Sequence, residues 1–352
     1  RMVAVVPMTP TRPLRVAEKS ATAMKDEDVI EHLLVASTHD TVLLFSNKGK
    51  VYWLKVYEMP VASRGSRGKP LVNMLPLEDG EDINAILPVR DYSPDCYIFF
   101  ATAKGTVKRT SLDQFSRPRS VGLIAIDIEE GDRLIGAAIT SGNDHVMLLS
   151  SNGKAIRFEE TDVRSMGRTA RGVRGMRLLD GAEVISLIIP QSQLIDADAD
   201  AESEAEGEAG TALENGNDSQ IYILTASENG YGKRTRLEEF PLRGRGGQGV
   251  IAMQTSERNG GLVAAMQVYT ADEMMLITDR GTLVRTRVEE VSVTSRNTQG
   301  VMLIRLGNDE KLVKTVRIDE PDEDETLAED AGLNEDGELD ENSESPEADA
   351  EE

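Results

Sequence analysis

Apolar runs of four residues recur at VLLF (42–45), IFFA (98–101), VMLL (146–149), ILTA (223–226) and MMLI (274–277), each followed at once by Ser or Thr. Three positions beyond that hydroxyl residue stands a glycine: Gly49, Gly105, Gly153, Gly230 and Gly281. Apolar run, tight turn and returning strand predict a β-hairpin, with glycine supplying a positive φ that side chains with a Cβ resist. A second glycine follows at Gly68, Gly122, Gly172, Gly249 and Gly300, after gaps of 19, 17, 19, 19 and 19 residues, and opens another β-rich run such as VIAM (250–253) or VMLIRL (301–306). A further apolar segment precedes each next hairpin: INAILPV (83–89), LIGAAIT (134–140), VISLIIP (184–190) and LVAAMQV (262–268). About four strands per unit result, with unit spacings of 56, 48, 77 and 51 residues. A period near 50 with four strands predicts radially arranged blades, a β-propeller or a relative of one, in which each blade must pack on its neighbours.

The rest of the chain departs from this pattern in three places. Residues 1–22, with RMVAVVP and the proline-containing MTPTRPLRVAEKSATAM beyond it, carry no hairpin glycine, and the pattern resumes over 25–41. Residues 196–218 hold nine acids and no Lys or Arg, which predicts a disordered loop insertion and accounts for the spacing of 77. Residues 319–352 hold eighteen acids, again with no Lys or Arg, and read as a disordered tail. Removing those 27 acids from 62 leaves 35 against 39 bases, so a chain of net charge −23 has a mildly basic body over 1–318. Aromatics are 4% of the chain, so Val, Ile, Leu and Met must build the core. No run of 18 apolar residues and no signal-peptide pattern are present, and the single Cys96 suits a reducing compartment, so a cytosolic protein away from membranes is expected.

The bases gather around the second glycine of each unit: Arg64, Arg67 and Lys69; Arg117 and Arg119; Arg164, Arg168, Arg171 and Arg174; Arg243 and Arg245; Arg296. The returning strands add Arg109, Arg157, Arg234 and Arg285, each four residues past the hairpin glycine, with Trp53 in that place in the first unit. Lys108 and Lys233 stand beside two of them. Recurrence at one structural position predicts one rim, and a continuous basic rim suits a polyanion contacted through its phosphates without base reading. The alternative is that these arginines are solvated or paired with local carboxylates such as Glu159 and Glu160.

Other candidate sites fail. GRGGQG (244–249) has dinucleotide-fingerprint spacing but leads into a strand rather than a helix, and RGSRGKP (64–70) has no Ser or Thr after its Lys. His32, His39 and His145 lack metal-ligand company, and no Ser/His/Asp set or carboxylate pair stands out, so no catalytic or metal residues are assigned.

The runs LLVASTHDTVLLFSNKGKVYWLKVYEMP, SRGSRGKPLVNMLPLE, ATAKGTVKRTSLDQFSR, GVRGMRLLDG, ENGYGKRTRLEEFP and SRNTQGVMLIRL resemble the C-terminal domain of the bacterial DNA gyrase A subunit over roughly residues 20–318. The acidic tail resembles that family too. The resemblance implies a β-pinwheel of about six four-stranded blades whose outer rim binds and bends duplex DNA. It further implies that the wrapped DNA is presented to the A-subunit catalytic core of an A2B2 gyrase assembly. ATP and Mg would act there through the B subunit, with no cofactor in this chain. A bacterial cytoplasmic, nucleoid-associated protein is implied. The family's wrapping motif, Gln-Arg-Arg-Gly-Gly-Lys/Arg-Gly in the first blade, has no counterpart in PMTPTRPLRVAE, and its nearest relative is RGRGGQG at 243–249. The first blade is therefore expected to be truncated or altered, with DNA binding left to the other rims.

Two other readings remain open on the sequence. One is the equivalent domain of topoisomerase IV, serving decatenation; the other is a propeller that binds a protein. A polyanionic tail close in sequence to a basic rim is expected to compete with DNA for that rim.

Overall fold

The computed structural model describes residues 2–3, 36–60, 69–179, 181–190 and 220–318. The expected first blade, Arg64 and Arg67, the acidic insertion at 196–218 and the tail lie outside those residues, apart from Met2 and Val3.

In chain order, β1 (Met2–Val3) precedes the hairpin of β2 (Thr41–Ser46) and β3 (Lys50–Lys55), the short β4 (Lys69–Pro70) and the longer β5 (Ile83–Val89). The second unit is β6 (Tyr97–Thr102), β7 (Thr106–Ser111), β8 (Leu123–Ile124) and β9 (Leu134–Thr140). The third is β10 (His145–Ser150), β11 (Lys154–Glu159), β12 (Val173–Arg174) and β13 (Val184–Ile188). The fourth is β14 (Tyr222–Ser227), β15 (Tyr231–Arg236), β16 (Val250–Ile251) and β17 (Leu262–Val268). The fifth is β18 (Glu273–Thr278), β19 (Leu283–Arg287), β20 (Val301–Met302) and β21 (Leu312–Ile318).

Apart from β1 and β4, which pair with each other, these strands form a propeller-like set of five blades among the described residues, where the resemblance implies about six. Four blades have four strands, in the orders β5-β2-β3-β8, β9-β6-β7-β12, β13-β10-β11-β16 and β17-β14-β15-β20, and the last, β21-β18-β19, has three. The outermost strand of each complete blade thus comes from the following unit, whereas the sequence pattern groups it with its own hairpin. The three-stranded last blade follows from the same rule, since no further unit lies among the described residues.

The unbroken apolar runs have a direct cause. In the second, third and fourth blades the first hairpin strand has a neighbouring blade on either side, so both of its faces are buried. In β2, Leu43 and Phe45 join Ile98 and Phe100 of the next blade, while Val42 and Leu44 face the opposite way, toward Met59, Leu71 and Leu75. In β6, Phe99 and Ala101 turn to Val146 and Leu148 of the third blade. Phe45 meets Phe100 edge-on at 5.3 Å, a favoured aromatic geometry at the first boundary.

The Ser/Thr-x-x-Gly signature closes each hairpin and docks its neighbour. The glycine N–H donates to the hydroxyl residue's carbonyl at 2.9–3.1 Å in all five hairpins. The hydroxyl oxygen accepts the N–H four residues on in three of them, as in Thr282 N to Thr278 Oγ1 at 3.0 Å. Gly153 has φ +77°, and its carbonyl accepts from Ala252 N at 2.8 Å and Met253 N at 3.2 Å in the strand segment supplied by the next unit. Equivalent double acceptance occurs at Gly49, Gly105 and Gly230.

Candidate nucleic-acid interface

The segment around the second glycine of each unit runs along the outer edge of the preceding blade. Isolated parallel bridges of Arg109 with Ser165, Arg157 with Leu242 and Arg234 with Val293 hold this path. Successive segments are also linked to one another by a repeated bond. The residue five past one second glycine donates its N–H to the residue two before the next: Asp127 to Ala170 at 3.2 Å, Arg177 to Gly247 at 2.8 Å, and Gln254 to Thr298 at 2.9 Å. Units two to five therefore share one continuous outer edge.

That edge carries exposed Arg117, Arg119, Arg164, Arg171, Arg174, Arg243 and Arg245, with Arg168 and Arg296 half-buried; Lys69 is exposed on β4. Arg171 pairs with Asp127 at 3.2 Å and Glu129 at 3.0 Å, so its charge is locally offset. Arg245 donates to the carbonyls of Asp162 and Arg174, both at 2.9 Å, which fixes its place without neutralising it. Arg117, Arg119, Arg164, Arg168, Arg174 and Arg243 have no carboxylate partner among the described residues. Arg177, exposed and part of the linking bond, belongs to the same edge and escaped the sequence clusters because it lies five residues past its glycine.

The residues of the returning strands sit elsewhere. Arg157 donates to the carbonyls of Leu237 at 3.2 Å and Phe240 at 3.3 Å in the next blade. Arg234 donates to Val291 O at 2.7 Å and Glu289 O at 3.0 Å, and lies over the Tyr222 ring. Arg109 pairs with buried Glu160 at 3.2 Å and stacks on Tyr97. All three reach the 3-10 turn that follows the next hairpin, which makes them ties between blades rather than rim residues. Burial lowers the pKa of Arg157 and Arg234, and raises that of Glu160. Arg285, in the last blade, is exposed and pairs with Glu273 instead. Lys108 and Lys233 are fully buried, which removes them too from the expected rim. The enclosed residues share one cause: β7, β11 and β15 are each packed on both faces, so a basic side chain there is buried, unlike Arg285 on β19.

No groups of His, Cys, Asp and Glu suited to a metal occur among the described residues, and no helix there is long and apolar enough to cross a membrane. RGRGGQG (243–249) forms part of the outer edge, with Gly246 at φ +83° and Gly249 at φ +75°.

Five segments, 40–90, 97–141, 144–191, 222–268 and 272–319, match the family described as DNA gyrase C-terminal domain, beta-propeller, and they coincide with the five hairpin units. The chain is 52% identical over 309 residues to the DNA gyrase A subunit of Salmonella typhimurium strain LT2, covering 88% of this chain and 32% of that protein. It is 52% identical over 380 residues to the DNA gyrase A subunit of Pseudomonas aeruginosa, covering 95% and 38%. It thus spans about a third of the length of these relatives. Among solved structures, a DNA gyrase A C-terminal domain aligns with a TM-score of 0.62 at 26% identity, over 80% of this chain and 83% of that one. The C-terminal domain of DNA topoisomerase IV aligns with a TM-score of 0.72 at 24% identity over 89% of each chain, a likeness of fold.

Proposed function

The chain belongs to the DNA gyrase C-terminal domain family, and on that premise we propose that it binds and bends duplex DNA along the outer edge of its blades. In this reading it is the DNA-wrapping part of a gyrase A subunit. The observation that carries the reading is the linked outer edge of units two to five, where arginines such as Arg117, Arg119, Arg174 and Arg243 have no carboxylate partner among the described residues. Guanidiniums spaced along one edge neutralise phosphates at successive positions without requiring base contacts, so affinity rests on counterion release. The interleaved glycines allow backbone N–H groups to approach phosphate oxygens closely.

The partners follow as part of the same proposal. The wrapped duplex is handed to the A-subunit catalytic core, and negative supercoiling draws on ATP and Mg at the B subunit, in the bacterial cytoplasm at the nucleoid. This chain's own contribution is binding and bending alone.

Titrating two unrelated duplexes of equal length at several salt concentrations tests the reading. Affinity should be near equal for both, and each phosphate neutralised should contribute about −0.9 to the slope of log affinity on log salt. Affinity that stays flat between low and moderate salt contradicts it.

A further inference from the structure

The position three past the hairpin glycine is Tyr52, Lys108, Ile156, Lys233 and Val284. Ile156, 3% exposed, demonstrates that an apolar side chain satisfies the packing there. Lys108 and Lys233 are nonetheless lysines, fully buried, and each makes a directed set of bonds. Lys108 Nζ, from β7, donates to the carbonyl of Ala125 at 2.5 Å and to that of Arg168. Lys233 Nζ, from β15, donates to Ser295 O at 2.7 Å, Arg296 O at 2.5 Å and Thr298 Oγ1 at 3.1 Å. Arg168 and Arg296 lie in the outer-edge segments that the following unit lays over these strands.

We propose that Lys108 and Lys233 are positioning residues of the DNA interface, whose ammonium groups pin the backbone of the edge segments presenting Arg168 and Arg296. The proposal rests on the reading of that edge as the DNA-binding surface. An ammonium group carries three donors, and at Lys233 all three have acceptors; a neutral amine carries two donors and no charge, so one anchor is released.

The cost of burying these charges makes the device sensitive to pH. Burial lowers Lys108 to about 7, with Arg168 adding to the shift and Asp127 opposing it. Burial lowers Lys233 to about 8, opposed by Glu239 and reinforced by Arg296. The charged groups facing the two lysines are therefore Asp127, Arg168, Glu239 and Arg296, and the Phe100 ring covers Lys108 at 5.6 Å. Carboxylates and guanidiniums as classes titrate below about pH 5 or above pH 12, so among the charged groups facing one another here the window between belongs to the two amines. Phosphates brought to the edge favour the ammonium form, and binding takes up protons.

The test uses the full chain, a short duplex, and fluorescence anisotropy at pH 6.5 and 9.5 with ionic strength varied in parallel. The wild type should lose about two units of salt slope between those pH values, one for each edge segment released. The double variant Lys108→Met, Lys233→Met should have the reduced slope at both pH values and no pH dependence. Folding is separable by sign. Both lysines have folded pKa values below the unfolded 10.5, so the unfolded chain binds more protons between about pH 7 and 10.5, and their contribution to stability rises with pH there. Affinity falling while melting temperature holds is loosening of the edge. A wild-type slope that does not change with pH overturns the proposal, whether or not the Met variant folds. A wild type that binds no duplex even at pH 6.5 overturns the DNA reading, and this proposal with it.

Discussion

Trp53 Nε1 donates to the carbonyl of Phe115 at 2.9 Å across the boundary between the first two blades. Arg109, Arg157 and Arg234 occupy the same place in the next three hairpins and reach the same turn of the blade that follows. One long N–H donor per boundary thus ties each blade to the next, and an indole serves as well as a guanidinium. Replacing Arg234 with Ala strands the carbonyls of Val291 and Glu289, and should lower unfolding free energy by about 2–4 kcal/mol. Urea unfolding measures the loss, while the folded fraction of the variant should keep the wild-type salt slope for DNA.

Gly153→Val is expected to damage folding more severely. A Cβ at Gly153 would stand 2.1 Å from Met253 O, and the residue holds φ +77°. Left-handed backbone costs a side chain about 1–2 kcal/mol, and forcing the docked strand aside adds about 1–3 more. Gly244→Ala, with open space around the added Cβ, is the control and should stay within about 0.5 kcal/mol of wild type. Thermal unfolding of the two variants compares them directly.

Replacing Arg117, Arg119, Arg174 and Arg243 together with Ala should leave the fold intact and reduce the salt slope of DNA affinity by about four. Arg171→Ala should change the slope by less than any of these, because Asp127 and Glu129 already offset that charge. Anisotropy titrations at several salt concentrations provide both slopes.

The blades and their turns were legible in the residue pattern, because a strand buried on both faces needs an unbroken apolar run and a tight turn needs its glycine. The exchange of outer strands between blades was not. A two-residue strand such as Val250–Ile251 carries the same pattern whichever hairpin it joins, and only packing assigns it to Lys154 and Ala155. The clusters near the second glycine of units two to five lie on the outer edge, while Arg64 and Arg67 fall outside the described residues. Arg109, Arg157, Arg234, Lys108 and Lys233 did not, since basic side chains on the returning strands read as exposed. Trp53 was the available signal for the first three. Tyr52 and Ile156 were the signal for the lysines, as two large side chains of low polarity mark an enclosed position.

Removing residues 319–352 deletes eighteen carboxylates and should tighten DNA binding at low salt, with the gain shrinking as salt screens the competition. Affinities of the full and shortened chains at two salt concentrations decide the point, and equal values at low salt would leave the tail without a part in binding.

Duplex DNA that follows the linked outer edge should be wrapped along it with one hand. Ligating nicked plasmid with increasing amounts of the chain bound, then removing the protein, records a handed wrap as a change in linking number, which planar bending alone leaves unchanged. A shift that grows with bound protein, and that disappears when Arg117, Arg119, Arg174 and Arg243 are Ala, is the predicted result. A topoisomer distribution unchanged at saturating protein would contradict it.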